Sequence, residues 1–176
     1  VLPNVFDAAA RDFGDVWALT ELWNSLGFDR LRGVFRRTRH AIDVEALIRV
    51  MVFNRLCDPD SKLGVLRWLQ TVTLPGVALE SIDHQHLLRA MDALVEHKDA
   101  VDGVMTGLLR PLVDQDLAVV FYDMTTIRTA GLSEQDGDAR KFGMSKEGVV
   151  ARQVMLGVVQ TAEGLPLYHE VFDGNT

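Results

Sequence analysis

Cysteine is almost missing from this sequence. Cys57 is the only one in 176 residues, so no internal disulfide can form, and a lone thiol among apolar neighbours reads as core filling rather than as a nucleophile. No apolar run approaches the roughly 18 residues that a membrane span needs, and the first residues lack the charged-then-apolar order of a secretion signal. Together these absences predict a soluble protein of a reducing cytoplasm with no membrane partner. Positive charge is also scarce: 18 Lys and Arg face 25 Asp and Glu, a net charge of −7. Such a balance excludes a uniformly basic nucleic-acid binder and leaves room only for a local basic face. Internal repeats and low-complexity tracts are absent as well.

What the sequence does have is core material. With 48% hydrophobic and 24% charged residues it can bury one sizeable core or two small ones. Charge is unevenly spread. Residues 1–40 carry six Arg against five acids, residues 41–116 seven basic against twelve acidic, and residues 117–176 five against eight. Within the first block Arg30, Arg32, Arg36, Arg37 and Arg39 crowd into ten residues. They could supply phosphate contacts without base specificity, or form a solvated helix face.

From Asp15 to about Val113 the apolar residues recur at helical spacing between capping residues. Asp15 is expected to cap a helix over Val16 to Leu26, with Trp17, Leu19, Leu22, Trp23 and Leu26 inward and Gly27 as the stop. A short helix over Asp29 to Arg36 follows. Asp43 caps Val44 to Leu56, whose inward face is Leu47, Ile48, Met51, Val52 and Leu56, and Pro59 ends it. Ser61 opens a helix to Leu69. Ser81 or Asp83 opens another to about His97, with Leu87, Leu88, Met91, Leu94 and Val95 inward, and a last helix runs to Val113. His84 and His86 are read as polar residues of a helix start, and Trp17, Trp23 and Trp68 as core.

At Leu117 the pattern changes. Leu117 to Tyr122 is a continuous apolar run of strand length that ends at Asp123. Residues 124–151, rich in Gly, Asp, Ser and Lys, read as a long loop with a short edge ribbon. Arg152 to Gln160, the turn Thr161 to Gly164 and Leu165 to Phe172 give a hairpin signal. A carboxylate directly after a buried strand projects from a sheet's end, where a hard divalent cation can gather it with others for phosphoryl transfer. Taken alone, the same residue reads more readily as a cap of the turn into Met124-Thr125-Thr126.

Five stretches occur in order: Phe-Tyr-Asp-Met-Thr-Thr from Phe121, Lys-Phe-Gly-Met-Ser-Lys-Glu-Gly from Lys141, Arg-Gln-Val-Met-Leu-Gly-Val-Val from Arg152, Glu-Gly-Leu-Pro-Leu from Glu163, and Glu-Val-Phe-Asp-Gly-Asn-Thr from Glu170. This succession resembles the DDE transposases of bacterial insertion sequences, the Tn-type cut-and-paste group. The upstream run Asn54-Arg55-Leu56-Cys57-Asp58-Pro59-Asp60-Ser61-Lys62, followed by Trp68-Leu69, also resembles that family's amino-terminal region. Met144 stands where the family often has His, and Val149-Val150-Ala151 replaces a stretch often richer in Pro and acids.

The resemblance implies an α + α/β chain. Residues 1–114 would be an all-helical domain for DNA-end binding or dimer contacts, and residues 115–176 the first three strands of an RNase H-like mixed sheet. Asp123 would be the first acid of a catalytic triad holding two Mg²⁺ or Mn²⁺ ions, with its two partners beyond Thr176. Both ends of the chain read as cuts, Val1 not being methionine and Thr176 following a Gly-Asn pair of a turn. The partners implied are transposon-end and target DNA and a second copy of the enzyme, in a bacterial, nucleoid-associated setting. Lys141, Ser145, Lys146 and Arg152 are available for phosphates, and Asp173 belongs to a turn. Two other readings stay open: a non-catalytic DNA-binding or dimerising remnant that regulates an intact enzyme, and an RNase H-like nuclease unrelated to transposition.

Overall fold

A computed structural model of the chain describes residues 11–36, 43–111, 121–130, 137–144 and 148–175. It contains helices and a four-stranded antiparallel sheet, an α+β composition. The chain divides into two compact units, Val1–Leu108 and Leu109–Thr176. The expected boundary near Val113 to Asp116 lies outside the described residues.

The first unit is built around a helix that is buried on nearly every side. In α3 (Val44–Cys57) every residue from Val44 to Val50 is buried, together with Phe53 and Asn54. As expected, Asp43 caps this helix, its side chain accepting from the Glu45 N–H. Around it lie α1 (Gly14–Leu26), the short α2 (Leu31–Phe35), α4 (Lys62–Trp68), α5 (His84–Glu96) and α6 (Lys98–Leu109). Trp23 stacks at 4.7 Å on Phe28 and meets Phe53 edge-on at 5.8 Å. Ser61 caps α4 by accepting from the Gly64 N–H. Asp83 and His86 form a reciprocal capping box that starts α5, which gives His86 the helix-end role expected of it.

Several inward faces differ from expectation. Trp17 is half exposed, at 50%, and Leu22, Leu26, Val52, Leu56, Met91 and Val95 are exposed as well. In α1 Trp23 is buried and Leu19 packs half-buried against the core, as expected, while Val16 and Thr20 take the other inner positions. Thr20 can take an inner position because its hydroxyl donates to the Val16 carbonyl at 2.7 Å. Asp15 does not occupy the cap of α1. That position is Phe13, and the Asp15 carboxylate accepts from the neighbouring Val16 N–H.

In the second unit β1 (Phe121–Arg128) does not stop at Asp123. It continues through Met124 to Arg128, because Thr125, Thr126 and Ile127 are β-branched and pair in register with Leu156, Met155 and Val154. Leu117 to Val120 lie outside the described residues. The expected long loop therefore holds the second half of β1 as well as β2 (Lys141–Met144), the short ribbon that was expected. The central strand is β3 (Val150–Gln160), and β4 (Pro166–Asp173) returns from it through the Thr161–Leu165 turn, with Gly164 at φ 87°. All three pairings are antiparallel where a mixed sheet was expected.

Gln153 pairs with both Arg128 of β1 and Lys141 of β2, so those strands lie on opposite edges of β3, and β4 shares the β2 edge. Where β2 and β4 meet end to end, Gly174 is wedged in. A Cβ there would lie 1.9 Å from the Gln153 carbonyl oxygen and 2.8 Å from that of Lys141, both backbone atoms that cannot rotate away. Gly174→Ala is expected to cost about 3 kcal/mol, the upper end of ordinary overpacking, because strand pairing itself must open. Amide hydrogen exchange should accelerate in β2 and β3, whereas tryptophan fluorescence should not change, since Trp17, Trp23 and Trp68 all belong to the first unit. Undisturbed exchange in β3 would refute the wedge.

Candidate functional site

Asp123 is the third residue of β1 and is exposed. Alternation along the strand puts it on the same face as Thr125 and Ile127, and the Thr125 hydroxyl donates to its Oδ2 at 3.3 Å. This long bond orients the carboxylate without burying it. Across the sheet Asp123 pairs with Val158, and Val158 pairs with His169 of β4. The carboxylate thus stands on an open sheet face, where it can serve as one oxygen ligand of a hard cation. Among the described residues no three His, Cys, Asp or Glu side chains gather closely enough to hold a metal by themselves.

The candidate phosphate contacts are placed unevenly. Arg30 and Arg36 are exposed at the two ends of α2. Arg32 is bound instead to Asp43 and Glu45, each at 2.8 Å. Burial lowers its pKa, but the bonds and charges of those carboxylates outweigh that, and its pKa ends above the usual arginine value. Arg37, Arg39, Ser145 and Lys146 lie outside the described residues. Lys141 is half-buried in β2.

Arg152 is buried, and its guanidinium reaches Asp138 at 2.9 Å, so it is committed within the sheet rather than open to DNA. Its neighbour Arg140 holds the same carboxylate through its own Nε at 2.8 Å. Hydrogen bonds from the Arg140 side chain and N–H, then the two positive charges, hold the Asp138 carboxyl well below the usual carboxylate range. A depressed carboxyl contributes stability above its unfolded value, near pH 4, and loses it as pH falls further. Wild-type protein should therefore lose more stability than Asp138→Asn as the pH is lowered from 5 toward 2, in urea titrations followed by hydrogen exchange in β3. Parallel losses would show that the cluster is unimportant.

No protein-family model matches this chain, and neither a curated protein nor a solved structure matches it. Local geometry is therefore what bears on the motifs. Gly143, Gln153 and Gly174 come from three of the ordered stretches and meet at one point. The Gln153 Nε2 donates to the Gly174 carbonyl at 2.9 Å, and the Gly174 N–H donates to the Ala139 carbonyl at 3.0 Å. A Cβ on Gly143 would lie 2.2 Å from that Gly174 carbonyl oxygen. Two glycines are needed here because two backbone segments approach closer than side chains permit.

The upstream stretch is a joint as well. The Asn54 side chain is buried and donates to the Asp58 carbonyl at 2.8 Å, and Asp60 accepts from the Ser61 N–H and from Arg67. Cys57 is half-buried against the core, and burial, followed by the Asp15 carboxylate, pushes its thiol pKa up. Both effects suit the inert role expected of it.

Three groups escaped sequence reading. His169 shares a row with Asp123 only through strand register, Asp138 lies in a stretch read as a long loop, and Glu45 and Arg49 were not among the residues read as the inward face of α3. Two of them left a local signal: the Asp-x-Arg spacing of Asp138 to Arg140 within the described turn, and the i,i+4 spacing of Glu45 to Arg49 on α3.

No helix among the described residues is long and apolar enough to cross a membrane.

Proposed function

We propose that this chain is part of a DDE-type DNA transposase that cleaves and joins DNA strands with bound divalent metal. The observation that carries this reading is the position of Asp123: exposed on the face of β1, its carboxylate steadied by Thr125, in a sheet whose surrounding motif residues interlock at Gly143, Gln153 and Gly174. The interlocked residues account for part of the motifs as structure, and Asp123 is an exposed carboxylate beside them.

In this reading Asp123 is one oxygen ligand of the metal site, and two further carboxylates come from beyond Thr176. When bound, Mg²⁺ or Mn²⁺ supplies activation of the attacking oxygen, first of water and then of a DNA 3′-hydroxyl. The protein forms no covalent intermediate. Arg30 and Arg36 contribute phosphate contacts to the DNA ends, which orient the substrate without reading bases. An RNase H-like catalytic core and a dimeric enzyme belong to the same proposal.

The test is DNA cleavage by this chain joined to the continuation of its reading frame, on the DNA that flanks that frame. Metal-dependent nicking at the element's ends is the expected result, and the 176-residue chain alone should bind those ends without cutting them. Binding without cleavage by the extended protein would favour the non-catalytic, regulatory reading. Absence of both would remove the proposal.

A further inference from the structure

The two faces of the sheet carry different chemistry. Along β1, Tyr122 and Arg128 alternate with Asp123 and project to the opposite face. Residues paired directly across antiparallel strands share a side, so Tyr122 stands in one row with Val159 and Tyr168, and Arg128 in one row with Gln153 and Lys141. The register shift between β3 and β4 falls past the Tyr168 row, at Val159/Gln160.

Charge is sorted in the same way among the described strand residues. Arg128 and Lys141 project to this reverse face with one carboxylate, Glu170, which accepts from the Tyr168 hydroxyl. Asp123 and Asp173 project to the other, where the cation Arg152 is committed to Asp138. The reverse face is therefore the positive side of an acidic chain. Gln153 does not rise between its two cations, because its side chain is buried and donates to the Gly174 carbonyl.

Aromatic rings lie at the other end of this face. Tyr122 is 59% exposed and Tyr168 52%. The Tyr122 hydroxyl is 2.9 Å from the Met124 Sδ and would be 2.6 Å from a Cβ on Gly157, so the ring lies along the sheet instead of standing off it. The Phe172 Cε2 would be 3.0 Å from the same Cβ. Both rings settle over Gly157 because it has no side chain. A ring laid on a sheet turns its outer face to solvent, and a planar heterocycle can stack on that face.

We infer that this face binds single-stranded nucleic acid. One base stacks on Tyr122 and another on Tyr168, and Arg128 and Lys141 hold phosphates about 20 Å further along the strands. Unpaired bases are required, because a duplex keeps its base faces against one another. The bound strand lies on the reverse of the sheet from Asp123, so it is not the strand that would meet chemistry there. The assignment is independent of the transposase reading.

The probe is a fluorescently labelled oligothymidine of about ten nucleotides, titrated with the 176-residue chain at low salt and followed by anisotropy. Tyr122→Ala and Tyr168→Ala are each expected to weaken binding by about tenfold, the loss of one stacked base. Lys141→Gln should reduce the slope of log affinity against log salt by about 0.7, one phosphate of a single strand. Val171→Thr, exposed on the Asp123 face, should change neither. Amide exchange in β3 matching wild type confirms that each variant is folded. Absence of binding, or affinity unchanged by both tyrosine substitutions, overturns the assignment. So does self-association of the chain that Tyr122→Ala abolishes, since the face is then a contact between copies. None of these outcomes bears on DNA cleavage, which decides the transposase reading separately.

Discussion

Glu45→Ala lowers the stability of the helical unit by about 3–5 kcal/mol, the expected cost of removing one partner from a buried ion pair. Glu45 is 1% exposed and is held from three sides. The Trp23 indole N–H donates to Oε1 at 2.8 Å, Arg32 binds Oε2 at 2.8 Å, and the Arg49 Nε lies 3.5 Å from Oε1. Arg49 is itself buried, and its Nε, though within ion-pair distance of Glu45, has no hydrogen-bond partner among the described residues. Its charge is therefore balanced chiefly through Glu45. Alanine would leave a buried guanidinium uncompensated and the Trp23 N–H without its acceptor, and both penalties exceed the ordinary worth of the bonds.

Urea denaturation followed by tryptophan fluorescence measures the loss, because all three tryptophans lie in this unit. The double substitution Glu45→Leu with Arg49→Met should recover the part due to the uncompensated charge, since an apolar pair of similar size needs no charge balance, while the Trp23 N–H stays without its acceptor. A change within about 0.5 kcal/mol for Glu45→Ala, as at an ordinary surface site, would show that water reaches the cluster.

Asp123→Asn is expected to act in the opposite way, on activity and not on stability. Asp123 is exposed, and asparagine keeps its shape, so the denaturation midpoint should shift by no more than about 0.5 kcal/mol. On the proposed transposase reading, metal-dependent cleavage by a protein that carries the complete acid set should fall by about a thousandfold or more. The reason is that metal stabilisation of developing charge contributes several kcal/mol, and each 1.4 kcal/mol is a factor of ten in rate. A gel assay on end-bearing DNA, with binding measured in parallel, separates loss of chemistry from loss of affinity. Full cleavage by the asparagine variant would place the metal elsewhere.

Capping was the part of the fold most legible in sequence. Asp43, Ser61 and Asp83 start α3, α4 and α5 because a side-chain oxygen within three residues of a free N–H needs no distant partner. The β3–β4 hairpin was legible for the same reason, its turn being closed by Thr161 and Gly164. Helix faces were less so. Trp17 and Leu56 have the apolar character of core residues and yet are exposed, while the charged Glu45 and Arg49 are inside, because α3 is enclosed on nearly every side. Periodicity ranks residues by polarity, and a charge that finds its counter-charge inside defeats that ranking.

At the candidate site, the sequence by itself determined that Asp123 sits on strand-forming sequence and that a hairpin follows, since strand propensity and turn chemistry act over a few residues. Only the tertiary structure decided that the strand runs through Asp123, that Arg152 turns inward to Asp138, and that His169 stands in the Asp123 row. Each of these depends on register between segments 14 to 46 residues apart, and a register slip of one residue would send every side chain to the other face.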